Sequence, residues 1–220
     1  VGQAILMQHY DTLFHKHGDG IRPAQVLLTA ADLDHRQTYL NVRNTIQALF
    51  EMRTVIPVVN ENDSTAVDEL TGSGKFGDND TLAAKMAAKI DADLLIILSD
   101  IDGLYDKNPS THSDAKLIEH VDAITAEVEA LAGGTNVQTS VGGMKTKLVA
   151  ARIACAAGVP VVIANGRRAN IIPDVLNGTA PCTLFKASGG SLCHRKRWIA
   201  FGRRCAGTLF VDDGAKTALI

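Results

Sequence analysis

Two almost wholly aliphatic runs restrict the fold of this chain more than any other feature. Residues 93–98 read DLLIIL and residues 159–164 read VPVVIA. Such runs are typical of strands in a parallel sheet that helices cover on both faces. A helix-like pattern precedes each run, at 81–90 and at 144–157. The sequence therefore predicts an α/β fold with an open, mainly parallel sheet sandwiched between helices.

The rest of the chain continues this alternation. We predict further helices at 3–17, 34–51, 125–132 and 169–177, and further strands at 25–29, 55–59, 116–121 and 182–185. The helix at 34–51 is expected to bury Leu40, Val42, Ile46, Leu49 and Phe50. In a sheet of this kind, ligands bind beyond the carboxyl ends of the strands.

Composition and charge exclude several classes of protein. The 220 residues hold 22 Lys and Arg against 24 Asp and Glu, a net charge of −2 that offers no overall attraction for nucleic acid. No stretch has the roughly 18 uncharged apolar residues of a membrane span. The four cysteines form no C-x-x-C pair, so we expect reduced thiols in a cytoplasmic protein. The basic residues at 195–197, 203 and 204 are interpreted as a solvated junction rather than an RNA site.

Amides and carboxylates cluster at 60–63, directly after the predicted strand 55–59. They are Asn60, Glu61, Asn62 and Asp63. Such groups are costly to bury without hydrogen-bond partners. At the end of a strand they can face a ligand, or they can form a turn, for which Asn and Asp are common residues. Both interpretations stay open on this cluster alone.

A second polar cluster, Gly77-Asp78-Asn79-Asp80, precedes the predicted helix 81–90. A helix cap needs one Asn or Asp, and here three follow one another. The surplus suggests that Asn79 or Asp80 points at something else. An Asp beside a phosphate site would repel the phosphate, but it has a use there if it holds a lysine in position.

The glycine-rich segment that leads into the helix 144–157 is a candidate anion site. It reads SVGGMKTK from 140 to 147. Backbone N–H groups at a helix start attract anions, and Lys147 is close enough to that start to reach a phosphate. The spacing is neither that of a Walker A loop nor G-x-G-x-x-G, so a plain glycine linker stays open as the alternative.

Ser99, Asp100 and Asp102 follow the apolar run 93–98. The two carboxylates can bind a metal, a base or a ribose, or can make an Asx turn. The Asp-x-Asp spacing alone does not distinguish among these roles.

Taken in order, four segments resemble the amino acid kinase family, and within it the members that phosphorylate glutamate. The segments are NEND (60–63), GDND (77–80), LSDIDGLY (98–105) and GGMKTK (142–147). The resemblance runs from Gly2 to 197–199, and 207–220 resembles the start of a PUA domain. It implies a kinase domain at 1–186, a linker at 187–206 and the beginning of a small β-rich PUA-like domain at 207–220.

The resemblance also implies roles for individual residues. Asp80 and Lys147 are the implied catalytic residues, the carboxylate orienting the lysine that stabilises the transferring phosphoryl group. The implied glutamate-binding residues are Asp63, Asn79, Asn62 and Asn60. The implied ATP-binding residues are Ser99, Asp100, Val141, Gly142, Gly143, Met144, Lys145, Thr146 and Lys147.

The implied reaction is phosphorylation of the γ-carboxylate of L-glutamate by ATP, in the pathway to proline. Mg²⁺ is expected to arrive on the phosphates of ATP, because the sequence has no evident metal cage. Family members are usually dimers or tetramers, and proline is a candidate feedback inhibitor. We expect no membrane or nucleic-acid partner.

The chain also departs from the family pattern. Family members begin with a strand that carries a Lys-x-Gly-Ser/Thr motif, followed by a second glycine-rich loop, and residues 1–220 contain neither. We therefore expect that the chain is truncated at its N-terminus and does not catalyse the reaction on its own. The alternatives are a family member that acts on acetylglutamate or aspartate, and a non-catalytic fragment that binds glutamate or proline.

Overall fold

Helices and strands alternate along most of the chain, as the apolar runs predict. The computed structural model describes residues 2–18, 20–62, 79–132, 143–187, 210–212 and 214–215. The elements in these residues are α1 (Gly2–His17), β1 (Arg22–Leu28), α2 (Ala30–Asp34), α3 (Arg36–Glu51), β2 (Val55–Glu61), α4 (Asn79–Ile90), β3 (Leu95–Ser99), β4 (His120–Val121), α5 (Ala126–Ala132), α6 (Met144–Ala156), β5 (Val161–Asn165), α7 (Ile171–Leu176) and β6 (Cys182–Phe185).

The described strands divide into two sheets. Strands β1 and β2 pair in parallel, and the second sheet has the order β3-β5-β6-β4. Pairing is parallel between β3 and β5 and between β4 and β6, but antiparallel between β5 and β6. The predicted mainly parallel arrangement is confirmed. It is spread over two sheets, and residues of both β2 and β3 line one cavity.

The main core surrounds β5 and two alanine-rich helices. Val161 and Ile163 of β5 have no exposed surface. Ala84 of α4 and Ala150 and Ala154 of α6 are equally buried in the same cluster. Because alanine has only a methyl side chain, α4 and α6 pack closely. This packing lays the two helices side by side and sets the positions of their N-termini.

Two burial predictions are wrong. Phe50 is 52% exposed, because the last turn of α3 borders a groove open to solvent that it shares with Arg43 and Ile90. Leu98 is 47% exposed although its neighbour Ile97 is 4% exposed. The described residues therefore cover β3 on one face at this point, and not on both as the aliphatic run predicts.

The helix predicted at 34–51 is α3, which begins at Arg36, and a short helix that was not predicted, α2, precedes it. Thr29 caps α2, because its side chain accepts a hydrogen bond from the Asp32 N–H while the Asp32 carboxylate accepts one from the Thr29 N–H. His35 then has an extended backbone, with φ −83° and ψ 123°, and α3 starts after it. Among the described residues, no helix has both the length and the apolar character of a membrane span.

The division into domains at 186 and 206 stays a prediction. The predicted linker lies almost wholly outside the described residues. The predicted PUA-like part is described only at 210–212 and 214–215.

Candidate active site

The starts of two helices and the carboxyl ends of two strands lie at one edge of the molecule. Four residues connect α4 to β3, and four connect α6 to β5. Connections this short make each helix antiparallel to the strand that follows it, and β3 and β5 are parallel to each other. The helix N-termini therefore lie near the strands' carboxyl ends, where open α/β sheets bind ligands.

A largely buried ion pair joins the two helix starts. Lys147 Nζ donates a hydrogen bond to Asp80 Oδ2 at 2.9 Å, and the side chains are 12% and 17% exposed. Asp80 is the second residue of α4, and Lys147 is the fourth residue of α6. The positive end of a helix dipole favours the carboxylate and disfavours the lysine. Asp80 therefore offsets an unfavourable position for Lys147 and fixes the direction of its amine.

Within the described residues, no side chain caps the start of α6. Gly143 is the N-cap, with an extended backbone (φ −73°, ψ 179°) and no side chain to cap the helix. Thr146 Oγ1 donates to the Gly143 carbonyl at 2.7 Å, Met144 packs against the core, and Lys145 is exposed. Uncapped N–H groups at a helix start suit an anion. Val141 and Gly142 lie outside the described residues.

Asn60 and Asn79 line one cavity between β2, α4 and β3. Its volume is about 430 Å³, and the other lining residues are apolar: Pro57, Val59, Leu82, Ala83, Met86, Ala87, Ile90, Ala92, Leu94 and Leu95. The structure thus brings together two of the residues that the sequence assigns to the substrate. The Asn62 N–H donates to the Leu28 carbonyl at 2.9 Å, just beyond the end of β2. Asp63 lies outside the described residues.

Two element boundaries differ from the prediction. The ladder with β1 continues, with Leu27 opposite Asn60 and Leu28 opposite Glu61, so these two polar residues lie inside β2 and not after it. Helix α4 begins at Asn79, so Asn79 and Asp80 form its first turn and do not precede it. A carboxylate in the first turn is stabilised by the helix dipole, which favours this earlier start.

The polar residues at the end of β3 and just after it form hydrogen bonds with other protein groups. Ser99 Oγ donates to Asp100 Oδ1 at 3.3 Å. Asp102 accepts hydrogen bonds from Asn165 at 3.1 Å and from two nitrogens of Arg168 at 2.9 Å each. The bonds from Arg168 hold the pKa of Asp102 below its usual value. For Asp102 the structure favours a structural role, in which it contacts protein groups and not a ligand.

The described carboxylates do not fit a resident metal. Within the described ranges, no group of three or more His, Cys, Asp or Glu side chains is placed to hold a metal ion. Asp80 is paired with Lys147, and Asp102 is paired with Arg168. A magnesium cage made from these side chains would require both ion pairs to break.

Arg168 and Thr183 were not predicted from the sequence. Arg168 stands among exposed polar residues after β5, and Thr183 is an ordinary residue of β6. Thr183 has no exposed surface and accepts a hydrogen bond from the Leu104 N–H at 2.8 Å. The polar pair Asn165-Gly166 after an apolar strand was the available signal, but it does not reveal which loop lies beside it.

Comparison with known proteins identifies the family of this architecture. The profile of the amino acid kinase family matches residues 1–165. A protein from Methanosarcina barkeri (strain Fusaro) called glutamate 5-kinase is 49% identical over 220 residues, which is 100% of this chain and 56% of that protein. One of the same name from Thermoanaerobacter pseudethanolicus is 43% identical, over 100% of this chain and 57% of that protein. The chain thus spans little more than half the length of these relatives.

Solved structures resemble the chain in fold alone. Carbamate kinase from Giardia lamblia bound to AMP-PNP matches with a TM-score of 0.55 and 16% identity, over 84% of this chain and 68% of that one. The isopentenyl phosphate kinase of T. acidophilum, in a product complex, has a TM-score of 0.53 and 19% identity, over 84% and 67%. These identities support a common architecture and say nothing about the substrate.

Proposed function

The chain belongs to the amino acid kinase family, and we propose that its protein is a glutamate 5-kinase. The reaction is transfer of the γ-phosphoryl group of ATP to the γ-carboxylate of L-glutamate, giving ADP and L-glutamyl 5-phosphate. Relatives of that name are 43% to 49% identical to this chain over its whole length, and they support glutamate as the acceptor. This identity favours glutamate over acetylglutamate or aspartate. The activity is proposed for the whole protein, because the chain spans 56% of those relatives.

The observation that carries the proposal is the contact between Lys147 and Asp80 at 2.9 Å, where two helices start. A γ-carboxylate is already ionised at neutral pH, so the reaction needs no general base. The difficulty is to bring two anions together and to stabilise charge on the transferring group. A lysine whose direction is fixed before the substrates bind meets this need, and Lys147 has that role in the proposal.

The two substrates approach from different sides in this proposal. Glutamate is held by Asn60, Asn62, Asp63 and Asn79, of which Asn60 and Asn79 share the cavity beside β2. Its γ-carboxylate points toward Lys147. Neutral amides in this cavity can hydrogen-bond the charged groups of an amino acid without adding a second negative charge.

ATP binds as its magnesium complex, which is a substrate and not a resident cofactor. In the proposal it is held by Ser99 at the end of β3, by Asp100 after it, and by the segment 141–147 at the start of α6. When bound, Mg²⁺ supplies positive charge to the phosphates. Assembly as a dimer or tetramer and inhibition by proline also stay proposals for the whole protein.

The test is glutamate-dependent release of ADP from Mg·ATP by the full-length protein and by the 220-residue chain. Hydroxylamine traps the acyl phosphate and identifies the product. Lys147→Met is expected to lower kcat by about 10²–10³-fold, because one charge on the transition state is lost. Asp80→Asn is expected to lower kcat less, because the lysine remains but is no longer aimed. Arg43→Met is the control, since it breaks the ion pair with Asp91 on the surface outside the site.

Each outcome separates the alternatives. Turnover with acetylglutamate or aspartate but not with glutamate would show that glutamate is not the phosphoryl acceptor. Glutamate or proline binding without ADP release by the full-length protein would favour the non-catalytic alternative. Unchanged kcat in Lys147→Met would refute the role of the ion pair.

A further inference from the structure

Four side chains from two loops form one hydrogen-bonded cluster at the carboxyl ends of β3 and β5. Asp102 Oδ1 accepts hydrogen bonds from Asn165 Nδ2 at 3.1 Å and from Arg168 Nε at 2.9 Å. Asp102 Oδ2 accepts from a terminal nitrogen of Arg168 at 2.9 Å and from the Tyr105 hydroxyl at 3.5 Å. A planar guanidinium that meets both carboxylate oxygens fixes orientation as well as distance.

Backbone contacts fix the same two loops on either side of this cluster. The Gly166 N–H donates to the Ser99 carbonyl at 2.8 Å. A Cβ on Gly166 would lie 3.0 Å from Leu98 Cβ, so a larger residue would push the loops apart. Further along, the Leu104 N–H is bound by the buried Thr183 hydroxyl. The segment from 99 to 104 is thus held at both ends by its backbone and, among the contacts of the described residues, in the middle through Asp102.

We propose that Arg168 is a positioning residue: through Asp102, it holds the loop that carries Ser99 and Asp100 in the conformation that binds the nucleotide. This inference rests on the nucleotide-binding role proposed for those two residues. Asp100 is two residues from Asp102, so freeing Asp102 lets the Asp100 carboxylate turn away. Arg168 acts on a loop that binds ATP and not on the transferring phosphoryl group. Its loss is therefore expected to raise the KM for ATP and to leave kcat unchanged.

The experiment is steady-state kinetics of the full-length protein with Mg·ATP and glutamate varied in turn. Arg168→Ala is expected to raise the KM for Mg·ATP roughly 10- to 100-fold, as small displacements of binding groups do. The KM for glutamate and the kcat at saturating Mg·ATP are expected to stay unchanged. The KM for Mg·ATP of Arg168→Lys is expected to lie between those of the unchanged protein and of Arg168→Ala, because an ammonium keeps the charge but not the two parallel hydrogen bonds.

Arg167→Ala is the matched control. It removes the same charge from the same loop. Among the described residues, the hydrogen bond of Arg167 runs from its backbone N–H to Asn165 Oδ1 at 3.0 Å and does not involve the side chain. Its kinetic constants are expected to equal those of the unchanged protein. Asp102→Asn combined with Arg168→Ala is expected to raise the KM no further than Arg168→Ala alone, because both act through one contact.

The outcomes distinguish this inference from the proposed function. A merely structural role for Arg168 would reduce the active fraction, which lowers kcat and leaves the KM for Mg·ATP unchanged; that result overturns the inference. An equal rise in the KM for both substrates also overturns it. If the unchanged protein neither binds Mg·ATP nor turns it over, the proposed function itself fails.

Discussion

Replacing Thr183 with valine removes one hydroxyl that joins three segments of the chain. Thr183 Oγ1 accepts a hydrogen bond from the Leu104 N–H at 2.8 Å and donates one to the Ile118 carbonyl at 2.7 Å. Thr183 has no exposed surface, and Leu104 is 1% exposed, so water does not reach the N–H group that valine would leave unpaired. Valine has nearly the shape of threonine, so the loss of the two hydrogen bonds is the main change in Thr183→Val.

The expected cost follows from these two contacts. A buried polar group left without its partner costs about 1–3 kcal/mol, so two such groups cost about 2–6 kcal/mol of the free energy of unfolding. Thr183→Ser is the control, because it keeps the hydroxyl and loses one methyl group, at a cost of about 1 kcal/mol. Close packing adds to the cost for valine, since its methyl would stand where Oγ1 is now 2.8 Å from the Leu104 nitrogen.

Urea denaturation of the purified protein measures both variants. With a slope of about 2 kcal/mol per M, Thr183→Val is expected to lower the midpoint by roughly 1–3 M, and Thr183→Ser by about 0.5 M. An unchanged slope would show that only stability has changed. If Thr183→Val is as stable as Thr183→Ser, the hydroxyl does not hold the loop after β3.

Two further predictions concern buried ionisable groups. Burial lowers the pKa of Lys89 to about 8, with Asp34 raising and Lys85 lowering it to a smaller extent. From about pH 8 to 10.5 the unfolded chain therefore holds more protons than the folded one. The free energy of unfolding, compared with that of Lys89→Met, should rise with pH across that window by up to about 3 kcal/mol. If the free energies of unfolding of the two proteins change with pH in parallel, the prediction is contradicted. Burial also raises the pKa of the Cys155 thiol to about 11, so maleimide at pH 8 should modify Cys155 only after unfolding. Mass spectrometry of the native protein locates the label, and labelling of Cys155 at the rate of the half-buried Cys182 would count against its burial.

The pairing of Asp80 with Lys147 was partly predictable from the sequence. Three consecutive capping residues before a helix indicated that one of them had another partner, and an Asp beside an anion site has a use if it holds a lysine in position. The sequence could not show that the two helices lie side by side. That follows from buried alanines such as Ala84 and Ala150, which let α4 and α6 approach each other.

The contact of Asp102 with Arg168 was not predictable. The two residues are 66 positions apart, and each has an ordinary local explanation as a turn or surface residue. They meet because β3 pairs directly with β5, in the register that sets Ser99 opposite Asn165. Strand order depends on long-range pairing, which local patterns do not encode.

The sequence by itself determined the type and approximate position of most of the described elements. Apolar runs such as 93–98 are buried away from water, and apolar residues at helical spacing form one face of a helix that is also buried. The alternating α/β pattern therefore follows from local chemistry. Only the tertiary structure decided that β6 runs antiparallel to β5, that Asn60 and Asn79 share a cavity, and that Leu98 stays half exposed. Each of these depends on which distant segment comes to lie beside a residue, and that is settled by packing the whole chain.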